Sequence, residues 1–163
     1  MDVAGTWRLL GVETQWPDGK TDTGWMGDRP TGLLIYDLSG WMSVQMMRDP
    51  RPTWAPGHGP FGLEFLLEEC VDGVRGYYAY FGTYKVVAAE NAIEHQVVGS
   101  AWPIEVGVTY TRFVMIDGDL LSLKTPPTPL SDGRVIINRL LWHRMKSSEE
   151  MPRSVTASGA NGP

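Results

Sequence analysis

Apolar and polar residues alternate over most of this 163-residue chain, and turn-forming residues interrupt the alternation at short intervals. A period of two places every second side chain on one face, so each run reads as a half-buried strand. The runs lie at about Ala4–Glu13, Thr31–Tyr36, Trp41–Met47, Tyr77–Ala88, Ala92–Ser100, Val108–Ile116, Leu120–Thr125 and Arg134–Met145. Asp37-Leu38-Ser39-Gly40 and Asp117-Gly118 read as hairpin turns, and Ala89-Glu90-Asn91 joins two long strands. Pro50, Pro52, Pro56 and Pro60 make the stretch after Met47 a surface loop. Helical spacing occurs once, at Phe61–Val71. There Leu63, Leu66, Leu67 and Cys70 share a face, Glu64, Glu68 and Glu69 face water, and Asp72-Gly73 ends the turn.

About eight antiparallel strands joined mostly by hairpins predict an all-β fold: an eight-stranded, or slightly larger, up-and-down β-barrel with one short helix as a lid. A closed barrel has no exposed edges and is just wide enough for one small ligand. An eight-stranded sandwich is the competing architecture, and the consecutive hairpins favour the barrel. Residues 1–146 form a single domain in this reading, and 147–163, rich in Ser, Gly and Pro without periodicity, form a disordered tail.

Charge narrows the partners. Lys and Arg number 14 against 19 Asp and Glu, and a net charge of -5 repels phosphate backbones and anionic lipid, so neither nucleic acid nor membrane is an expected partner. No apolar run approaches the roughly 18 residues of a spanning helix, and a signal peptide's basic start and apolar middle are missing. Cys70, the single cysteine, has no internal disulfide partner, which fits a cytoplasmic location. The histidines, His58, His95 and His143, fall on different elements, so no metal site is expected. Gly57-His58-Gly59 is a loop rather than a phosphate cradle, and Ser43 lacks the strand-turn-helix elbow of a hydrolase nucleophile. No cofactor is expected. The 7 Trp and 19 Gly suit short strands around an aromatic-lined interior.

Several of these segments also form a known pattern. Gly5-Thr6-Trp7-Arg8-Leu9 looks like the Gly-x-Trp opening of lipocalin-type barrels. Pro30–Tyr36, Gly40–Gln45, Tyr80–Tyr84, His95 with Val97, Arg112-Phe113, Asp117–Asp119 and Leu121-x-Leu123-x-Thr125-Pro126 follow in order, and Leu140–Arg144 closes the series. Together they resemble the lipocalin-like domain family of small bacterial and fungal proteins, from about Gly5 to Arg144. The resemblance implies a calycin-type barrel around an apolar cavity, with Trp7 plugging one end. It implies no single activity. The chain departs from the pattern at His143, where the family usually has an acidic residue.

Strand alternation also sorts the candidate site. Arg112, Val114 and Ile116 share one face, as do Ile93, His95 and Val97, so Arg112 and His95 are expected to point inward from neighbouring strands. A buried guanidinium stays charged and holds a carboxylate, enolate or phenolate. A nearby His moves protons near neutral pH, although Arg112 works to keep it neutral. Tyr36, Tyr80 and Tyr110 are candidate hydrogen-bond donors, and Tyr84 shares the face of Tyr80. The plain alternatives are that Arg112 braces the barrel and that the aromatic residues fill a core. Trp41, Ser43 and Gln45 share a face opposite Met42, Val44 and Met46, and alternation leaves open which set is inside. Only the resemblance favours a ligand role for Ser43 and Gln45. Arg144 or Arg139 is expected to stack on Trp7, while Trp54, Phe61 and Trp102 rim the mouth or form a dimer contact.

Two functions follow. In the first, a small hydrophobic, aromatic and oxygenated molecule binds in the barrel and is isomerised, cyclised or hydrated without a cofactor. Arg112 and Tyr80 would steady an oxyanion while His95 moves a proton. In the second, the barrel only binds and carries such a molecule. A Trp-rich interaction module without a cavity is a third reading. The chain is expected as a monomer or a homodimer.

Overall fold

The period-two runs are strands in the computed structural model, which describes residues 1–51, 53 and 67–146. In chain order they are β1 (Gly5–Gln15), β2 (Thr21–Asp22), β3 (Thr31–Tyr36), β4 (Trp41–Met47), α1 (Leu67–Arg75), β5 (Tyr77–Val87), β6 (Ala92–Ser100), β7 (Thr109–Asp117), β8 (Leu120–Lys124), β9 (Thr128–Pro129) and β10 (Val135–Arg144). Antiparallel neighbours follow the order β1-β3-β4-β5-β6-β7-β8-β10, and β10 pairs back onto β1. The sheet therefore closes into an eight-stranded barrel, with β2 and β9 as two-residue additions at its margin. Closure rules out the sandwich.

The inner surface is the apolar half of each alternation. Leu34 and Tyr36 of β3, Met42, Val44 and Met46 of β4, Ile93, His95 and Val97 of β6, and Leu121 and Leu123 of β8 are all buried. Trp7 closes one end. Its indole N–H donates to the Val3 carbonyl at 2.9 Å, and the Arg144 guanidinium lies 4.1 Å above the ring. Arg144 also donates to the carbonyls of Ala4 and Asp2, so it is Arg144 that covers Trp7, while Arg139 on the outer face bonds Ser122.

A register shift between Phe81 and Gly82 bends β5 against β6. Gly82 is required there, because an added Cβ would collide with the Gln96 carbonyl oxygen. The bulge sits between Tyr80 and Tyr84 and sets the direction of both inner-face tyrosines.

The helix departs from expectation. It continues past Asp72-Gly73 to Arg75 and stops at Gly76, whose N–H reaches the Asp72 carbonyl at 2.8 Å. Tertiary contacts override the local stop: Arg48 pairs with the Asp72 carboxylate at 2.6 Å, and Arg51 donates to the Gly73 carbonyl at 3.0 Å. No residue of α1 is buried, Leu67 is 79% exposed and Cys70 is half-buried, so the expected apolar face is not a packed one over this stretch. The beginning of the expected helix lies outside the described residues, as do Trp54, His58 and Phe61 and the expected tail. Among the described residues, no helix is long and apolar enough to cross a membrane.

Candidate functional site

Inside the barrel, β3, β5, β6 and β7 bring four tyrosines, a histidine and an arginine together. His95 is 1% exposed, and both its ring nitrogens are engaged. The Tyr36 hydroxyl lies 2.7 Å from Nε2 and the Tyr80 hydroxyl 2.8 Å from Nδ1. Register explains the convergence. His95 stands opposite Tyr84 on one side and Tyr110 on the other, and Arg112 stands opposite buried Ile93. The Arg112 guanidinium packs 4.7 Å above the Tyr110 ring and donates to the Thr111 carbonyl at 3.0 Å. Its charge also acts on the Tyr80 hydroxyl, and the Tyr80 and Tyr110 rings lie 5.8 Å apart.

Burial dominates the electrostatics. Desolvation, with the Arg112 cation adding to it, holds His95 down at about 3, so its ring is neutral across the physiological range. Burial likewise raises Tyr36 and Tyr80 above the usual phenol value, against a smaller opposing pull from Arg112. The cluster therefore carries a guanidinium, a neutral imidazole and neutral phenols.

At the end of the barrel away from Trp7 is a cavity of about 390 Å³, lined by Trp25, Arg48, Arg75, Tyr78, Trp102 and Glu105. That volume suits a small ligand. Tyr78 donates to one Glu105 oxygen at 2.9 Å and Ser100 donates to the other at 2.6 Å, which anchors the β6–β7 connection to β5. Ser100 in turn accepts from the Trp102 backbone N–H at 3.0 Å and so positions that indole. Burial first, and then neighbouring Tyr80 and Glu105, raises the Tyr78 phenol. Trp25 meets Tyr78 edge-on at 6.1 Å, and Tyr78 meets Tyr80 edge-on at 5.6 Å. The aromatic wall is thus continuous from the cavity to the His95 cluster.

Of the candidates from the sequence, His95 meets Tyr36 and Tyr80, and Arg112 meets Tyr110 beside them. Trp102 lines the cavity. Tyr84 faces inward but serves another purpose. Its hydroxyl donates to the Asp37 carbonyl at 3.0 Å, and its ring packs 4.7 Å from Tyr36. The remaining three need correction: Trp41, Ser43 and Gln45 lie on the outer face of β4 and do not line the interior. The apolar volume of Met42, Val44 and Met46 takes the inner face, leaving Trp41 50% exposed and Gln45 bonded to Ser43 at 3.0 Å outside. Sequence reasoning missed Trp25, Arg48, Arg75 and Glu105 as cavity residues. Each sits at a loop or an element end, where no period marks a face. It also missed Trp142, a fully buried inner-face residue of β10 whose indole N–H has no hydrogen-bond partner among the described residues.

Known proteins bear on this arrangement. The chain is 33% identical over 113 residues to the 4'-hydroxy-3'-methoxypropiophenone carrier protein ppsC of Aspergillus oryzae, an alignment covering 64% of this chain and 96% of that protein. The sequence model of the lipocalin-like domain matches residues 4–145, nearly the whole described barrel. With the closed eight-stranded sheet and the Trp7 plug, that match settles the ancestry: the chain belongs to the lipocalin-like domain family.

Proposed function

We propose that this protein binds a small oxygenated aromatic molecule at the end of its barrel away from Trp7 and carries it chemically unchanged. The observation that carries the reading is the state of His95. A histidine held at about 3, with a tyrosine hydroxyl on each ring nitrogen, is a fixture rather than a proton shuttle. The cavity walls of Trp25, Tyr78 and Trp102 suit stacking or edge contact with an aromatic ring, and Arg48 and Arg75 at its lining suit an oxygen substituent. The Aspergillus oryzae relative, a carrier protein for an aryl ketone, supports the same class of ligand.

Cofactor-free isomerisation, cyclisation or hydration is the second reading. One feature favours it: the Arg112 cation beside the Tyr80 hydroxyl is a pairing that steadies an enolate or another oxyanion. Titration calorimetry with 4'-hydroxy-3'-methoxypropiophenone, followed by chromatography of the recovered compound, separates the two. Saturable binding with quantitative recovery is the expected result. Conversion at a catalytic rate replaces the carrier with the enzyme, and absence of binding removes this ligand class.

A further inference from the structure

We propose that Glu105 is the positioning residue that sets the specificity of the cavity: its one carboxylate holds the aromatic walls in place, so the site takes a flat ring and resists a puckered one. The inference rests on the binding reading above and deepens it by naming the shape of ligand that the site accepts.

Glu105 closes the short turn Pro103–Glu105 between β6 and β7. Burial does not hold this turn. None of its residues is buried, and Ile104 is 87% exposed. Its backbone bonds are local, from the Glu105 N–H to the Trp102 carbonyl at 3.0 Å and from the Val106 N–H to the Pro103 carbonyl at 3.3 Å. The Glu105 carboxylate is the tie from the turn to the barrel wall. One oxygen accepts from Tyr78 on β5 at 2.9 Å, and the other accepts from Ser100 at the end of β6 at 2.6 Å. Hydrogen bonds to a carboxylate are about twice as strong as bonds between neutral groups, so this pair carries the placement of the turn.

Each of the two bonds leads to a wall of the cavity. Tyr78 lines it directly, and its ring meets Trp25 edge-on at 6.1 Å. Ser100 accepts from the Trp102 backbone N–H at 3.0 Å and so sets the third wall. Trp25, Tyr78 and Trp102 come from three separate parts of the chain, and one carboxylate links their positions. Attraction between packed faces falls steeply with separation, and a gap of about 0.5–1 Å forfeits a quarter to a half of it. Walls held in place therefore reward a ring of one thickness, whereas walls free to shift adapt to several.

Two measurements test this. Calorimetry compares propiophenone with cyclohexyl ethyl ketone, which keeps the carbonyl and the carbon count but replaces the flat ring with a puckered one. The wild type is expected to prefer propiophenone about tenfold, and Glu105→Ala to cut that preference to about twofold or less. Glu105→Gln should recover most of it, because its amide oxygen can accept from Tyr78 while its amide N–H donates to Ser100. The second measurement, fluorine NMR of the full chain labelled with fluorotryptophan, needs no ligand. The Trp102 resonance, assigned by its loss in Trp102→Phe, should move or broaden in both Glu105→Ala and Ser100→Ala, while those of buried Trp7 and Trp142 stay in place. If Trp7 and Trp142 also move in Glu105→Ala, the barrel itself is disturbed, and Ser100→Ala decides in its place. An unchanged Trp102 resonance overturns the positioning role. So does a ring preference that survives in Glu105→Ala or is lost equally in Glu105→Gln. A wild type that binds both ketones equally overturns the selectivity and leaves the binding reading standing. If it binds neither, the binding reading and the selectivity fall together, and the Trp102 resonance alone decides whether Glu105 sets that wall.

Discussion

Mild acid should destabilise this protein through His95. The ring is held at about 3 in the folded barrel, against about 6.5 for an unconstrained histidine. Unfolding frees it to take a proton, so the unfolded chain binds more protons than the folded one at every pH between those values. Stability is therefore full above about pH 6.5 and falls as pH drops through that value. Between about pH 7.5 and pH 5 the loss from this one group is about 2 kcal/mol, from 1.36 kcal/mol per unit over the roughly 1.5 units below the unfolded pKa. Asp18, Asp37 and Asp132 have their carboxyls lowered, chiefly by hydrogen bonds from the Lys20, Ser39 and Arg134 side chains, so they act only at more acid pH. Urea unfolding at the two pH values gives the wild-type loss. His95→Gln keeps polar atoms toward both tyrosines but cannot titrate, and its stability should change by less than about 0.5 kcal/mol over the same interval. A wild type as stable at pH 5 as at pH 7.5 would refute the burial argument. A His95→Gln variant with the wild-type slope would assign the slope to another group.

Three further outcomes follow from particular contacts. Gly82→Ala forces a methyl into the Gln96 carbonyl and should cost about 3 kcal/mol or more in urea unfolding, whereas Gly11→Ala, which meets nothing within 4 Å, should stay within about 0.5 kcal/mol. Arg144→Met removes the hydrogen bonds to the Ala4 and Asp2 carbonyls and the cation over Trp7. It should lower stability by about 1–3 kcal/mol, read from the same transition, with little effect on ligand affinity. Trp102→Ala should weaken binding of 4'-hydroxy-3'-methoxypropiophenone about tenfold by calorimetry while Trp41→Ala leaves it unchanged; the reverse order would put the ligand on the outer face of β4.

How legible the molecule was from its sequence depended on whether a strand's two faces differ. On β6, His95 shares its face with Ile93 and Val97, with Glu94 and Gln96 opposite, and the inner face follows at once. On β7 the apolar company of Val114 and Ile116 carries Arg112 inward by register, against the usual preference of a charge for water. On β4 both faces are apolar at some position, and the period gave no answer. The choice is made by the neighbours, because Met42 lies between Tyr36 and Gly82 and Val44 between Leu34 and Tyr80. The cavity was less legible still. Trp25, Arg48, Arg75 and Glu105 come from four separate places in the chain and meet only because the barrel closes. The helix end follows the same logic: Asp72-Gly73 is a local stop signal, and the Arg48 and Arg51 contacts overrule it.

The chemistry of the interior turns on Arg112, a cation for which the described residues supply no ion-paired carboxylate. Its contacts are the Tyr110 ring and the Thr111 carbonyl, and the Glu105 carboxylate acts on Tyr80 and Tyr110 from the cavity side. A carboxylate partner would confine the field of the guanidinium to the pair. Without one, the field reaches the polar groups beside it, lowering His95 and opposing the burial that raises Tyr36 and Tyr80. A positive field in an interior this buried suppresses the His95 imidazolium. It works against His95 as a general base, so the same arginine that made a catalytic reading attractive in the sequence weighs against it in the fold.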